Sequence, residues 1–443
     1  MENTSPFKIL VLSITIVVAV FSILVFSGKV PWFDASSTNG PKFSGKVEIW
    51  GTLPDSKMKD YLSSFSSQAI GYTLNYTQIP ANSFRQTLTQ ALAYGSGPDL
   101  IIANHDVLLS NENYLKVVPY ASYSQNTYKS TFVDAGDVFL RDAGVIAFPV
   151  GIDPMVLFYN RDLQNQAGIA TAPADWNTML KAAEKYTKVG DVAGIFKVSI
   201  LPFGSYKNYD YNKDMIMTII NQLGGQTIYK LSGQYVAGLD QNMQKSSGSY
   251  IDAVVRYMTN FSDPSLKSFT WSPRMVNALQ AFTSGNLMYY PAYISDKEMI
   301  LTINPKLDFD YVFMPQVPDR DSLYTSSRIL GIAMLSTSHN PAAAYDALIG
   351  FGTDKNFSNS IATIAGEPSP RKDTLAGVDN TQYAETIGKS ILVSKPFYDI
   401  NVDASKALVD NLFQSINSNR QGITDAVHDF VNLLKRMYNI STY

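Results

Sequence analysis

The stretch Pro149-Val-Gly-Ile-Asp-Pro-Met-Val-Leu-Phe-Tyr-Asn-Arg-Asp162 constrains the fold more than any other part of this chain. Met155-Val-Leu-Phe-Tyr159 is an unbroken apolar run bounded by turn residues, the pattern of a strand buried on both faces. Asp153 stands at the mouth of that strand, where a single carboxylate suits a polar ligand held at the end of a sheet. Taken alone, the motif also fits an ordinary turn with a solvated Asp.

The region before it alternates strand and helix. Gly45–Trp50 alternates as a strand, and Ser56–Ser67 puts Met58, Tyr61, Leu62 and Phe65 on one helical face. A second strand is expected at Leu74–Ile79, a helix at Ser83–Ala93 ending near Gly95, and a third strand at Asp99–Ala103. This βαβαβ order predicts a parallel, doubly wound sheet. After Asp162 the chain turns mainly helical, with stripes at Trp176–Lys188, Asp214–Leu223, Tyr250–Phe261, Pro273–Phe282, Pro341–Phe351, Ala404–Ser415 and Gly422–Tyr438. Between them, strands are expected at Asn286–Tyr290, Phe309–Met314 and Leu330–Leu335. At 443 residues the chain exceeds what one core organises, so two lobes are expected.

Composition excludes several function classes. A net charge of −3 gives no basic field for nucleic acid, and the absence of cysteine removes disulfides, thiolate nucleophiles, zinc–thiolate sites and thioether lipidation. Ile9 to Phe26 carries no charge and is just long enough to span a bilayer as a helix, which predicts residues 1–8 as a short cytoplasmic tail and 9–26 as a signal-anchor. A cleaved signal peptide ending at Ser27 is the competing reading. Residues 27–44, rich in Ser, Gly, Pro and Asn, read as a tether that leaves the folded body outside the cytoplasm.

Several ordered landmarks resemble the solute-binding proteins of ABC importers, the family that includes the maltodextrin binders. They are Gly97-Pro-Asp99 before an apolar strand, the Pro149–Asp162 crossing, Asp175-Trp176 opening a helix, Phe282-Thr-Ser-Gly-Asn-Leu-Met288, and Gly366-Glu-Pro-Ser-Pro-Arg371. The resemblance implies an α/β two-lobe clamshell of parallel and mixed sheets flanked by helices. Lobe 1 would hold 45–151 plus 290–335 and lobe 2 would hold 154–288 plus 338–443, with crossings near Gly151, Tyr290 and Leu335. It also implies a monomer that hands a small solute, a saccharide or oligosaccharide, to permease subunits.

The candidate ligand groups follow from both lines of reasoning. His105 and Asp106 match the A-H-D-R turn of the maltodextrin binders, although Ala103 and Val107 replace its flanking Trp and Arg. Asp153 matches a hinge Glu one methylene longer, and a carboxylate there would accept two hydroxyl donors. Trp50 and Gly51 end the first strand. Trp271 and Tyr293 are further stacking rings, with Tyr206 in the loop Ser205-Tyr-Lys-Asn-Tyr-Asp-Tyr-Asn212. Arg328 would clamp a carboxylate or hydroxyl pair, and Glu367 belongs to the late loop that reaches the cleft. Each also has a structural reading as a cap, core or surface residue.

No HExxH, GxSxG or Walker-type glycine loop is present, and the three histidines are far apart. No catalytic residue, metal or cofactor is therefore assigned. The expected activity is binding, with a ligand-sensing clamshell and a carbohydrate-active enzyme using Asp106 and Asp153 as the alternatives. A polyamine or amino-acid-like solute is the alternative guest.

Overall fold

The computed structural model describes residues 43–66, 71–231, 234–243, 248–320, 322–375 and 382–440. The expected tail 1–8, signal-anchor 9–26 and nearly all of the tether 27–44 lie outside them. Among the described residues no helix is long and apolar enough to cross a membrane.

The chain begins as its alternation predicts. Strand β1 (Lys46–Gly51), helix α1 (Asp55–Ser66), β2 (Thr73–Gln78), α2 (Ala81–Tyr94), β3 (Leu100–Asn104) and the short α3 (His105–Ser110) follow in order. Both β2 and β3 pair with β1 in parallel, with Trp50 opposite Thr77 on one side and Ile101 on the other. Beyond a short helix at Gln125–Thr131 and several shorter elements comes β4 (Phe148–Asn160), thirteen residues of which all but Tyr159 are buried. Helices α4 (Trp176–Tyr186), α5 (Asn212–Gln222) and α6 (Tyr250–Thr259) lead to β5 (Tyr289–Tyr293), α7 (Asp296–Ile303), β6 (Phe309–Val312) and the long β7 (Thr325–Met334). The chain ends through α8 (Pro341–Thr353), α9 (Lys355–Ala365), α10 (Gln382–Val393), β8 (Ser394–Lys395), α11 (Val402–Asn417) and α12 (Ile423–Met437).

Two strands join the halves. The first part of β4 pairs with β7, from Phe148 opposite Ile332 to Pro154 opposite Ser327. From Met155 onward β4 pairs instead with β5 and β6, Met155 facing Tyr293 and Asn160 facing Phe309. One strand therefore passes from one half to the other between Pro154 and Met155, and the main sheet runs β5-β4-β7-β3-β1-β2.

The cores correct the expected lobe boundaries. The first half packs Val47, Ile49, Ile102, Phe148 and Ile332 against Leu348, Phe351, Phe357 and Ile361 of α8 and α9. The opposite sheet face is filled by Phe84, Leu88, Ile101, Phe139, Ile152, Ile329 and Ala333. The second half packs Met155–Phe158 with Trp176, Ile216, Met258, Trp271, Phe282, Tyr290, Met314, Phe413 and Phe430. Residues 290–314 thus belong with the second half, because β5 and β6 pair with the far end of β4. Residues 341–365 belong with the first, because α8 carries the apolar face Ala343, Ala344, Ala347 and Leu348 that covers its sheet. The crossings fall at 153–155, between 314 and 329, and between 391 and 409, rather than near Tyr290 and Leu335.

Phe148 is fully buried, with Tyr123 edge-on at 5.1 Å and Tyr128 and Phe132 beyond. Phe148→Ala is expected to destabilise the protein by about 3–5 kcal/mol through the void it leaves. Chemical denaturation monitored by circular dichroism measures it, and an unchanged midpoint would contradict this packing.

Candidate functional site

Strand β3 runs straight into α3, which sets His105 and Asp106 at the carboxyl end of a parallel strand. His105 is buried and its Nδ1 accepts the Ile329 amide at 3.3 Å, tying α3 to β7. Burial lowers its pKa and favours the neutral ring, against the pull of Asp106. Asp106 receives Arg85 of α2 at 3.0 Å through Oδ2, and Arg85 also donates to Ser110 Oγ at 2.8 Å.

The second half faces them with the start of α5. Lys213 and Asp399 form an ion pair of 2.5 Å with side chains only 8% and 2% exposed, and Ser405 Oγ donates to the same carboxylate at 2.6 Å. Asp214 accepts the Tyr293 hydroxyl at 2.5 Å. The Arg328 guanidinium lies 3.9 Å from the Tyr293 ring centre and 5.6 Å from that of Tyr211. Burial works against its charge, yet Tyr293, Asp214, Tyr211 and Asp153 hold its pKa above the ordinary value. It makes no hydrogen bond or ion pair with a described residue. The nearby acids are served by other donors: Asp214 by Tyr293, Asp153 by Ser295, and Asp296 by Tyr211 and Tyr290.

These groups surround a cavity of about 110 Å³, lined by Asn104, His105, Asp106, Lys213, Asp214, Tyr293, Arg328, Phe397, Asp399 and Val402. A neighbouring cavity of about 250 Å³ shares Asn104, Asp106 and Val402 and adds Thr52, Asn82, Arg85 and Asp403. Walls from both halves carry acids, cations and amides, a set that can accept and donate to several hydroxyls at once. No group of three or more His, Asp or Glu among the described residues is placed to hold a metal ion.

Of the sequence-derived candidates, the fold brings His105, Asp106, Tyr293 and Arg328 together around the smaller cavity. The others sit elsewhere. Trp271 is fully buried in the second core, its Nε1 donating to Asn208 at 3.0 Å, so it is packing rather than a stacking platform. Trp50 is half-buried against the Phe84–Leu88 side of the first core, and Tyr206 packs on the second core; neither lines the two cavities. Gly51 is buried where a Cβ would fall 2.7 Å from the Tyr76 hydroxyl, so its role is close packing. Asp153 is 3% exposed and fully engaged, accepting Ser295 N at 3.0 Å and Ser295 Oγ at 2.7 Å. It clamps the crossing strand to the turn after β5 instead of facing either cavity. Burial pushes its pKa up to about 6, against Arg328 and the Ser295 bonds. Glu367 lies at the base of the crossing, with Oε2 buried against Gly151.

Sequence reasoning missed Arg85, Lys213, Asp214 and Asp399. Lys213-Asp214 is a charged pair opening a helix, a weak signal by itself, and Asp399 lies 186 positions from its lysine partner.

A family model described as bacterial extracellular solute-binding protein matches residues 60–386. A Brucella abortus (strain 2308) relative, named only as a binding protein, is 24% identical over 160 residues, 35% of this chain and 38% of that protein. The chain therefore aligns with well under half of the length of that relative. Among solved structures, an ABC substrate-binding protein from Listeria monocytogenes in complex with cycloalternan has a TM-score of 0.69 at 15% identity, covering 90% of this chain and 100% of its own. A cyclo/maltodextrin-binding protein complexed with maltotetraose has a TM-score of 0.69 at 17% identity, covering 91% and 98%. The cyclic alpha-maltosyl-1,6-maltose binding protein of Arthrobacter globiformis has 0.69 at 13%, covering 89% and 98%. At these identities the likeness establishes the two-lobe fold.

Asp399→Ala leaves Lys213 buried without its partner and is expected to destabilise the protein by about 3–5 kcal/mol. Asp399→Ala with Lys213→Met should recover most of that loss. Denaturation midpoints of both variants check it, and equal losses in the two would remove the pair from the account.

Proposed function

Because the chain belongs to the bacterial extracellular solute-binding proteins, a family of binders rather than enzymes, we propose that it captures a neutral saccharide or oligosaccharide between its two halves for an ABC importer. The observation that carries this reading is the Arg328 guanidinium, stacked on Tyr293 and without an acceptor among the described residues, in a cavity walled by Asp106, Asp214 and Asp399. Its fork of donors needs acceptors, and the acids beside it can take hydroxyl protons. A polyhydroxylated guest offers both at once, while its C–H faces can rest on Phe397 and Val402. The cavity's acids and cations roughly offset one another, which suits an uncharged guest. A polyamine fits less well, since Arg328 and Lys213 both face the space it would occupy.

The two-sided walls support a cleft that closes on its guest. A guest touching both halves stabilises the state in which they meet, whereas one touching a single half shifts nothing. The closed form would then dock on permease subunits. The uncharged stretch Ile9–Phe26 supports a body held at the outer face of the cell membrane by an N-terminal helix.

Thermal-shift and calorimetric titration with maltotetraose and a panel of neutral oligosaccharides should raise the melting temperature, while spermidine should not. Arg328→Ala should weaken binding of the best saccharide by roughly 10- to 100-fold, the loss of charge-assisted bonds worth about 1.5–3 kcal/mol. Stabilisation by spermidine alone, or an Arg328→Ala affinity equal to the parent's, would overturn the reading.

A further inference from the structure

The Gly366–Arg371 loop packs on the crossing strand, with Ile152 N donating to Pro368 O at 3.1 Å. It lays Glu367 beside Gly151, so close that a Cβ on that glycine would stand 2.4 Å from Oε2. Oε2 is buried and has no hydrogen-bond partner. Glu367 as a residue is only partly buried, but ionising it would put charge on an oxygen shielded from water with no described donor, a costlier state than a neutral carboxyl.

We propose that the hinge holds a proton at Glu367 in the conformation seen here and releases it to bulk water when the two halves part. The inference rests on the reading that the halves move about β4 and β7. The groups facing Glu367 support it. Asp153 of β4 repels a second negative charge, and Arg328 of β7 only partly offsets this. Other charges on the packed elements are engaged elsewhere. Arg371 is paired with Asp373, Lys372 with Asp134, and Lys129 with Asp137. Lys389 of α10 lies over the Phe313 ring at 4.4 Å.

The same geometry decides which acid of the pair carries the proton. Asp153 accepts two bonds from Ser295, which stabilise its charged form, while Glu367 Oε2 accepts none from a described residue. Burial and the Asp153 charge raise the Glu367 pKa well above its ordinary value. When the crossing opens and water reaches the carboxyl, its pKa falls back. The sign follows: the protonated, joined hinge is favoured at acid pH, and raising the pH draws the halves apart. One proton allows at most about a tenfold change in that equilibrium per pH unit.

The chain has no native cysteine, so Tyr94→Cys on α2 and Leu433→Cys on α12, 85% and 42% exposed, accept one spin label in each half. Electron-electron distance measurements on the full chain without any sugar should give one short separation at pH 5. A longer population should grow by pH 8. Glu367→Gln, neutral at every pH and nearly isosteric, should keep the short separation at both. Gly151→Ala, whose methyl takes the carboxyl's place, should abolish the pH response even if the glutamine variant fails to fold. A parent distribution identical at pH 5 and 8, or a pH response in either variant equal to the parent's, overturns the proposal. Since no guest is present, this failure is separable from an error about the saccharide.

Discussion

The continuity of β4 and β7 through both halves is the constraint on which the rest depends. β4 pairs with β7 along its first part and with β5 and β6 of the second half along the remainder, while β7 pairs with β3, with β4 and, at Thr325–Ser326, with β8. Backbone bonds buried on both faces cannot be broken without leaving unsatisfied amides, so the halves are held while each keeps its own core. What remains adjustable is the short region at 153–155 and its partner at 327–328. Asp153, Arg328 and Glu367 all gather there, and so do the charges that respond to hydration.

Polar satisfaction around this region separates groups that already have a partner from groups that do not. Asp153, Asp214, Asp296 and Asp399 have donors in place, and Lys213 has its carboxylate. Among the described residues, Arg328 has a ring beneath it and no acceptor, and Glu367 Oε2 has no donor. A guest can answer the guanidinium because it borders a cavity. The buried Oε2 has no such access, and a proton removes the charge that no neighbour there fully offsets.

Much of this organisation is legible in the residues. The apolar run at 155–159 announced a strand covered on both faces, and alternating periods before Gly97 announced the parallel sheet. Landmark order pointed to the family and hence to two lobes. That His105 and Asp106 stand at the carboxyl end of a parallel strand was legible because local pattern fixes that position. Trp271 was misassigned as a stacking ring because an indole in a half-polar stretch reads alike whether it stacks on a guest or on a core. Nothing local says that Asn208, far earlier in the chain, satisfies its Nε1.

The sequence by itself determined periodicity, the uncharged crossing strand, the absence of thiol chemistry and the family. These are properties of neighbouring residues, whose spacing dictates strand or helix. Only the tertiary structure decided which half owns residues 290–314 and 341–365, that Asp153 clamps Ser295, and that Lys213 meets Asp399. Those outcomes depend on strand pairing and burial between segments tens to hundreds of positions apart. The environment that leaves Arg328 without acceptors and Glu367 uncharged exists only once such segments have packed.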